Sequence, residues 1–334
     1  MRPTIRDVAK KLNLSITTVS RALDGYDDVA EETRQLVINT ARKMGYTPNR
    51  AARQLRRQKT ETIGFILPAG AQHFSEPFFT EFIAGLGSEL ASRNYDLLVS
   101  AVGTDQDEDQ MYQRWANGGK VDGFILNRLR MGDGRVRFLS RQHIPFATLD
   151  YSGKGRYPCI RVNGADGYFE LVRHVYENGF GKFAFIGGPV NLVHQIERLE
   201  WFRQATQRHG LVLKEELTCT ADLTSTGGYQ RAIELLSLPD PPDAIFCVND
   251  ETAFGVLHAA HSHGLEIGRQ LAVAGFDGVQ DARHTEPPLT TLDIPVFDIA
   301  RQLVDMLLRT IAGETIESPI LITPKLLIRP STGS

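Results

Sequence analysis

The sequence predicts an α/β protein in two parts: a short all-α headpiece, then a larger core of parallel sheets flanked by helices. Three observations predict it. The stretch from Thr4 to Gly25, TIRDVAKKLNLSITTVSRALDG, holds two short helical patterns almost end to end. Residues 1–60 carry 13 Lys and Arg against 6 Asp and Glu, while the remainder carries 24 against 34, so a short basic end is joined to an acidic body. From Thr62 onward, short apolar runs alternate with helical periods, the rhythm of βαβ units.

The first helix opens at Thr4, which with Asp7 has the form of a capping box, and Ile5, Val8, Ala9 and Leu12 then share one face. Asn13 suits the left-handed turn that follows, and Ser15 is a cap for a second helix containing Val19, Ala22 and Leu23. Two such helices form the bihelical motif whose second helix enters the DNA major groove. Its first turn carries Ile16, Thr17 and Thr18, with Arg21 one turn on. Thr and Ile suit a thymine methyl, and Arg suits guanine or phosphate. A third helix, with the stripe Leu36, Val37, Thr40, Ala41 and Met44, ends at Gly45 and completes a small core. Next, Arg50, Arg53, Arg56, Arg57 and Lys59 surround a helix-capable run in which Leu55 is the only large apolar residue. That pattern fits either a solvated linker or a segment that orders on DNA with an apolar wedge.

In the body, one series runs TIGFILP, FTEFIAGLGSELASRN, YDLLVSA, DQMYQRWANGG, VDGFIL, RFLSRQH, PFATLD. A second runs CIRVN, GYFELVRHVYENG, KFAFIGG, RLEWFRQATQRHG, AIFCVND, ETAFGVLHAAHSHG, LAVAGFD. Two similar halves are expected, with a ligand crevice beyond the C-terminal ends of their strands. Those ends offer Asp150, Gly187, Gly188, Asn249, Asp250 and Asp277, and the polar side chains among them suit the hydroxyls of a sugar.

Composition excludes several classes. The longest apolar runs, such as IGFIL and AIFCV, are far shorter than the ~18–20 residues of a membrane helix. The first residues lack the apolar segment of a secretory signal, so a cytoplasmic location is expected. Cys159, Cys219 and Cys247 are isolated and read as buried thiols. His258, His261 and His263 do not share one helical face, so no metal site is expected. No phosphate-binding glycine loop, dinucleotide fingerprint or nucleophile elbow is present, so neither a cofactor nor an enzyme is expected.

The opening stretch, the run VAEETRQLVINTARKMGYTPNRAARQLRRQKTETIGFILP and, far downstream, VNDETAFGVLHAAHSHGL, LAVAGFDG and PPLTTLDIP together resemble the lac repressor and galactose repressor (LacI/GalR) family over nearly the whole chain. The resemblance implies a helix-turn-helix DNA-binding domain over 1–47 and a hinge helix with linker over 48–60. It also implies a periplasmic-binding-protein-like core of two subdomains, 61–162 with 291–319 and 163–290 with 320–330. On this pattern Thr4, Ser15, Ile16, Thr17, Thr18, Ser20, Arg21, Asn49, Arg50, Ala52 and Leu55 touch DNA. Ile16 and Thr17 set base preference, and Leu55 is the wedge at the centre of a pseudo-palindromic operator bound by a homodimer. Phe74, Ser75, Glu76, Asp150, Arg198, Asn249 and Asp277 fall at effector-binding positions. Three departures stand out: Leu12-Asn13 where Ala-Gly is usual, Ala30 where Ser often caps, and Glu76 where Asn is frequent.

A buried Glu76 favours a neutral, hydroxyl-rich effector over an anionic one, so a saccharide or glycoside is expected. A regulator of the same fold sensing a purine or sugar phosphate is the alternative. A sugar-binding transport receptor would need a secretory signal and has no use for the basic end. A sugar-modifying enzyme would need a placed acid and base, for which Asp150 and Asp277 are the available pair.

Overall fold

The computed structural model describes residues 3–47, 59–67, 76–103 and 107–333. The hinge positions Asn49, Arg50, Ala52 and Leu55 lie outside these residues, as do Phe74 and Ser75. The chain divides into two compact units, 1–60 and 61–334.

In the first unit, α1 (Ile5–Leu12), α2 (Ile16–Leu23) and α3 (Glu31–Lys43) enclose Val8, Ala9, Val19, Ala22, Val37 and Ala41. Thr4 donates from its backbone N–H and its hydroxyl to the Asp7 carboxylate, at 2.8 and 2.7 Å. Asn13 turns the chain with φ 53°, a conformation Asn tolerates better than most residues. The Ser15 hydroxyl accepts the Thr18 N–H at 2.9 Å, satisfying one of the orphan donors of α2. Ala30 caps α3 with no side-chain bond; Glu31 and Glu32 in the first turn face the helix dipole instead. The expected α3 stripe needs one correction: Leu36 is 53% exposed. Adjacent helical positions point about 100° apart, so only one of Leu36 and Val37 can face the core, and Val37 does.

The second unit holds two six-stranded sheets. The first comprises β1 (Thr62–Leu67), β2 (Asp96–Ala101), β3 (Gly123–Leu126), β4 (Phe146–Leu149), β5 (Cys159–Val162) and β11 (Ile320–Ile322). Their order is β11-β5-β4-β3-β1-β2 and every pair is parallel. The second comprises β6 (Phe183–Gly187), β7 (Thr218–Thr220), β8 (Ala244–Cys247), β9 (Ala272–Asp277), β10 (Thr290–Asp293) and β12 (Lys325–Leu327). Its order, β12-β10-β9-β8-β6-β7, repeats that of the first, with only β12 antiparallel. Helices cover the faces, which is why β6, β8 and β9 read as unbroken apolar runs and are buried at every residue. α4 (Pro77–Ser92) and α11 (Val296–Ile311) pack so closely that a Cβ at Gly85 would lie 2.4 Å from the Phe297 carbonyl oxygen.

Strand pairing corrects the expected crossings. Thr290–Asp293 belongs to the second sheet, so the chain returns to the first half after 293 rather than at 291. The tail PILITPKLLIRP does not go to the second half as one piece. Ile320–Ile322 pairs with β5 in the first sheet and Lys325–Leu327 with β10 in the second. Pro324 separates them, as a residue with no N–H to give a ladder. CIRVN likewise closes the first sheet instead of opening the second series. The helix Ser225–Leu236 and the strand Thr218–Thr220 escaped the periodicity reading. Gly227 and Gly228 interrupt the helical pattern there, and a Cβ at Gly228 would meet the Thr252 carbonyl oxygen at 2.2 Å. Among the cysteines, Cys159 and Cys247 are buried, whereas Cys219 is half-buried on the edge strand β7.

Candidate nucleic-acid interface and effector cleft

The headpiece presents the first turn of α2 to solvent. Ile16 is 45% exposed although large and apolar, and Thr17 beside it is exposed. Thr18 is half-buried, with its hydroxyl 2.8 Å from that of Ser15, so these two residues shape the helix start. Thr4 is similarly occupied with Asp7. The Arg21 guanidinium is aimed by its surroundings: Nε donates to Asp28 at 3.1 Å and the group lies 4.9 Å from the Tyr26 ring centre. Ser20 donates to Asp24 at 3.4 Å. An exposed Ile and Thr flanked by an oriented Arg, on a helix start, is a surface able to meet base edges.

In the second unit, a cleft partly open to solvent lies at the strand ends of the two halves. From the first half it takes Glu76, Asn127, Arg128 and Asp150; from the second, His194, Arg198, Asn249, Glu251 and Asp277. Phe78, Leu149, Val162, Leu223, Val279 and Ile294 supply apolar wall. Of the seven expected effector positions, five are therefore brought together, and Phe74 and Ser75 fall outside the described residues.

Each polar group has a defined setting. Arg198, on α8 (Val193–Arg208), donates to Asp277 at 3.1 Å and to the Val248 carbonyl, and stacks 3.6 Å from the Phe276 ring centre. Asp277 has φ 114°, an uncommon conformation for a non-glycine residue, at the end of β9. The turn beyond it needs glycine: at Gly278, φ 75°, a Cβ would lie 2.1 Å from Asp293 Oδ1. Asp250 braces this turn from 0% exposure, accepting the Val279 N–H at 2.9 Å and the Thr291 hydroxyl at 2.6 Å. Burial pushes the Asp277 carboxyl up to about 6, against the opposing pull of Arg198. Asp150, φ 76°, sits at the end of β4; burial, reinforced by Glu197, pushes it up to about 7. Its neighbour His194, 3.8 Å away, is held well below the usual histidine range by burial and by Arg198 and Arg128. The two therefore meet near neutral pH as a largely uncharged His and a partly protonated Asp, not as an ion pair. Glu251 is pushed up to about 7 by burial and then by Glu76, Asp281 and Asp277.

Glu76 is buried but not alone, which corrects the reasoning attached to it: Arg128 Nη2 donates to its carboxylate at 2.6 Å. Asn249 is first a helix cap, its carbonyl oxygen accepting the Thr252 N–H at 3.1 Å and its amide donating to the Leu223 carbonyl at 3.1 Å. Four lining residues, Asn127, Arg128, His194 and Glu251, went unnoticed in the sequence. Asn127 and Arg128 directly follow the strand GFIL, so the strand-end rule that picked out Asp150 applies equally to them. The Asn127 amide nitrogen is buried with no hydrogen-bond partner. The histidines near 260 are occupied singly: His261 meets the Glu286 carbonyl oxygen at 2.6 Å, His263 that of Ala259 at 3.0 Å, and His258 packs on Tyr229.

A helix-turn-helix unit joined to a two-half core with a cleft at its strand ends defines a DNA-binding transcription regulator. The family of bacterial regulatory proteins of lacI type matches residues 4–49, and a periplasmic binding protein-like domain matches 172–332. The HTH-type transcriptional regulator AglR of Rhizobium meliloti is 32% identical over 100% of this chain and 95% of its own length. The HTH-type transcriptional repressor CytR of Escherichia coli is 30% identical over 98% and 96%. Among solved structures, the lac repressor dimer bound to operator and the anti-inducer ONPF matches with TM-score 0.86 at 25% identity, covering 100% of both chains. The transcriptional regulator CelR in complex with cellobiose matches at 0.75 and 28%, covering 99% of this chain and 100% of the other. The chain belongs to the LacI family. It is a DNA-binding transcription regulator rather than an enzyme, and among the described residues no helix is long and apolar enough to cross a membrane.

Proposed function

We propose that the protein is a cytoplasmic repressor that binds a pseudo-palindromic operator as a homodimer and whose grip on DNA is set by a neutral saccharide or glycoside in the cleft. The observation that carries the effector class is the neutralisation of both cleft guanidinia by carboxylates, Arg128 by Glu76 and Arg198 by Asp277. An anion entering there finds each of these cations already paired, whereas a hydroxyl can donate to the carboxylates and accept from the guanidinia. The unpaired Asn127 amide adds a donor, and the apolar wall suits the C–H faces of a sugar ring. CelR, a relative by structure, is described with cellobiose, a neutral sugar, which supports the same reading.

The DNA contacts follow the sequence: Ile16, Thr17 and Arg21 read bases, Thr4, Ser15, Thr18, Ser20, Asn49, Arg50 and Ala52 position the backbone, and Leu55 enters the minor groove. The ligand acts through linkage. It binds one arrangement of the two halves better and so shifts the population competent for operator. The test is a thermal-shift screen of the full chain with mono- and disaccharides, purines and sugar phosphates. A neutral sugar should raise the melting temperature of the wild type but not of Arg198→Ala or Asp277→Ala. A shift by a purine or sugar phosphate alone would sink the effector class and leave the regulator standing.

A further inference from the structure

The two guanidinia of the cleft are anchored differently, and the difference gives Glu76 a role of its own. Arg198 is tied inside the second half by Asp277, the Val248 carbonyl and the Phe276 ring. Arg128 stands on the first-half wall, with its side chain 13% exposed against 4% for Glu76. Besides Glu76, its guanidinium rests 4.7 Å from the ring centre of Phe79, which is itself fully buried. The stacking on Phe79 is a contact that does not depend on Glu76, so the carboxylate at residue 76 adds to the charge a ligand meets on this wall without being the guanidinium's sole support. Glu76 also stands at the N-terminus of α4, where a negative charge is favoured by the helix dipole.

We propose that Glu76 is the residue that sets the charge class of the effector: a built-in counter-anion that occupies Arg128 and turns away phosphorylated and carboxylated ligands. To bind Arg128, an anion must break the ion pair between Arg128 and a buried carboxylate. A neutral ligand faces no such exchange, because adjacent hydroxyls donate to Glu76 and accept from Arg128 in the pair as it stands. This inference rests on the saccharide reading of the cleft.

The experiment uses the full chain as wild type and as three variants of the wall: Glu76→Gln, Arg128→Gln and the double variant. Binding of glucose, maltose, cellobiose, glucose 6-phosphate and inorganic phosphate is measured by calorimetry. In Glu76→Gln, which keeps the side-chain volume and removes the carboxylate paired with Arg128, the preference for glucose 6-phosphate over glucose should rise at least ~10-fold, about 1.4 kcal/mol. Arg128→Gln and the double variant should show no such rise. If wild type binds a neutral sugar and Glu76→Gln gains nothing toward the phosphate, the role of Glu76 is refuted and the saccharide reading stands. If wild type binds only the phosphate, both fall. Should Glu76→Gln melt below the assay temperature, recovery of its melting temperature by glucose 6-phosphate but not glucose supports the role, and recovery by neither overturns it.

Discussion

Asp150→Asn should stabilise the core at neutral pH, and the gain should shrink in acid. The carboxyl moves from an ordinary value of 3.8 to about 7 on folding, because it is buried and faces Glu197. A shift of this size corresponds to ~4 kcal/mol of penalty for keeping the charge. Since the folded value lies above the unfolded one, the proton stabilises the fold. That contribution is complete below 3.8 and is lost as the pH rises through about 7. At about pH 7.5 the wild type carries almost the whole penalty, and at about pH 5.5 proton uptake has removed roughly half of it. Asparagine keeps the shape, bears no charge and tolerates the φ of 76°. The gap between variant and wild type should therefore fall from ~4 kcal/mol at the higher pH to ~2 at the lower. Thermal unfolding of both proteins at the two pH values reads it, at ~2–4 °C per kcal/mol for a unit approaching this size. Equal melting temperatures at the higher pH, or a gap that does not narrow in acid, would refute the burial account of Asp150.

Arg198→Ala removes a cation from a buried pair and leaves Asp277 unmatched. It should lower core stability by ~3–5 kcal/mol in denaturant titration and abolish the saccharide shift. Val19→Ala opens a cavity in a headpiece core of few side chains. It should cost ~1–3 kcal/mol and weaken operator binding, while the melting of the larger unit stays put. Leu55→Ala should weaken operator binding, measured by band shift, far more than sugar binding measured by calorimetry. Equal loss of both would count against the wedge role.

The sequence reveals most where the physics is local. Asn13 and Ser15 announce the turn and cap of the headpiece because both act within a few residues. Parallel strands buried on both faces appear as apolar runs, so nearly all of the alternation in the body is readable. What escapes depends on partners far along the chain. The tail divides between two sheets because β5 and β10 each have an edge to offer, which no window around Ile320 contains. Glu76 looks like an isolated buried acid until Arg128, 52 positions away, is seen beside it. Asn249 fits both cap and ligand contact in the sequence, and it takes Thr252 and Leu223 to show how its amide is committed.

The proton on Asp150 is also a gauge of how the two halves meet. The groups that face it come from both: Arg161 on β5 of the first half, and Glu197, His194 and Arg198 on α8 with Asp277 on β9 of the second. Arg161 and Glu197 themselves bridge the halves at 2.8 Å, with side chains 38% and 24% exposed. A pair this exposed contributes at most ~1 kcal/mol, and its loss in Glu197→Gln is opposed by relief of the Glu197–Asp150 repulsion, so the net change in stability should be small. It should nevertheless remove the charge that, after burial, does most to raise Asp150, and leave Arg161 to pull the other way. The pH at which the Asp150-dependent stability is lost should then move below the wild-type midpoint. Comparing Glu197→Gln with the Glu197→Gln/Asp150→Asn pair isolates that midpoint from the rest of the titration. An unmoved midpoint would mean that burial alone holds the proton. A displaced one would mean that the seam between the halves contributes to holding it, and then an effector that changes the Glu197–Asp150 spacing must, by reciprocity, take up or release protons as it binds.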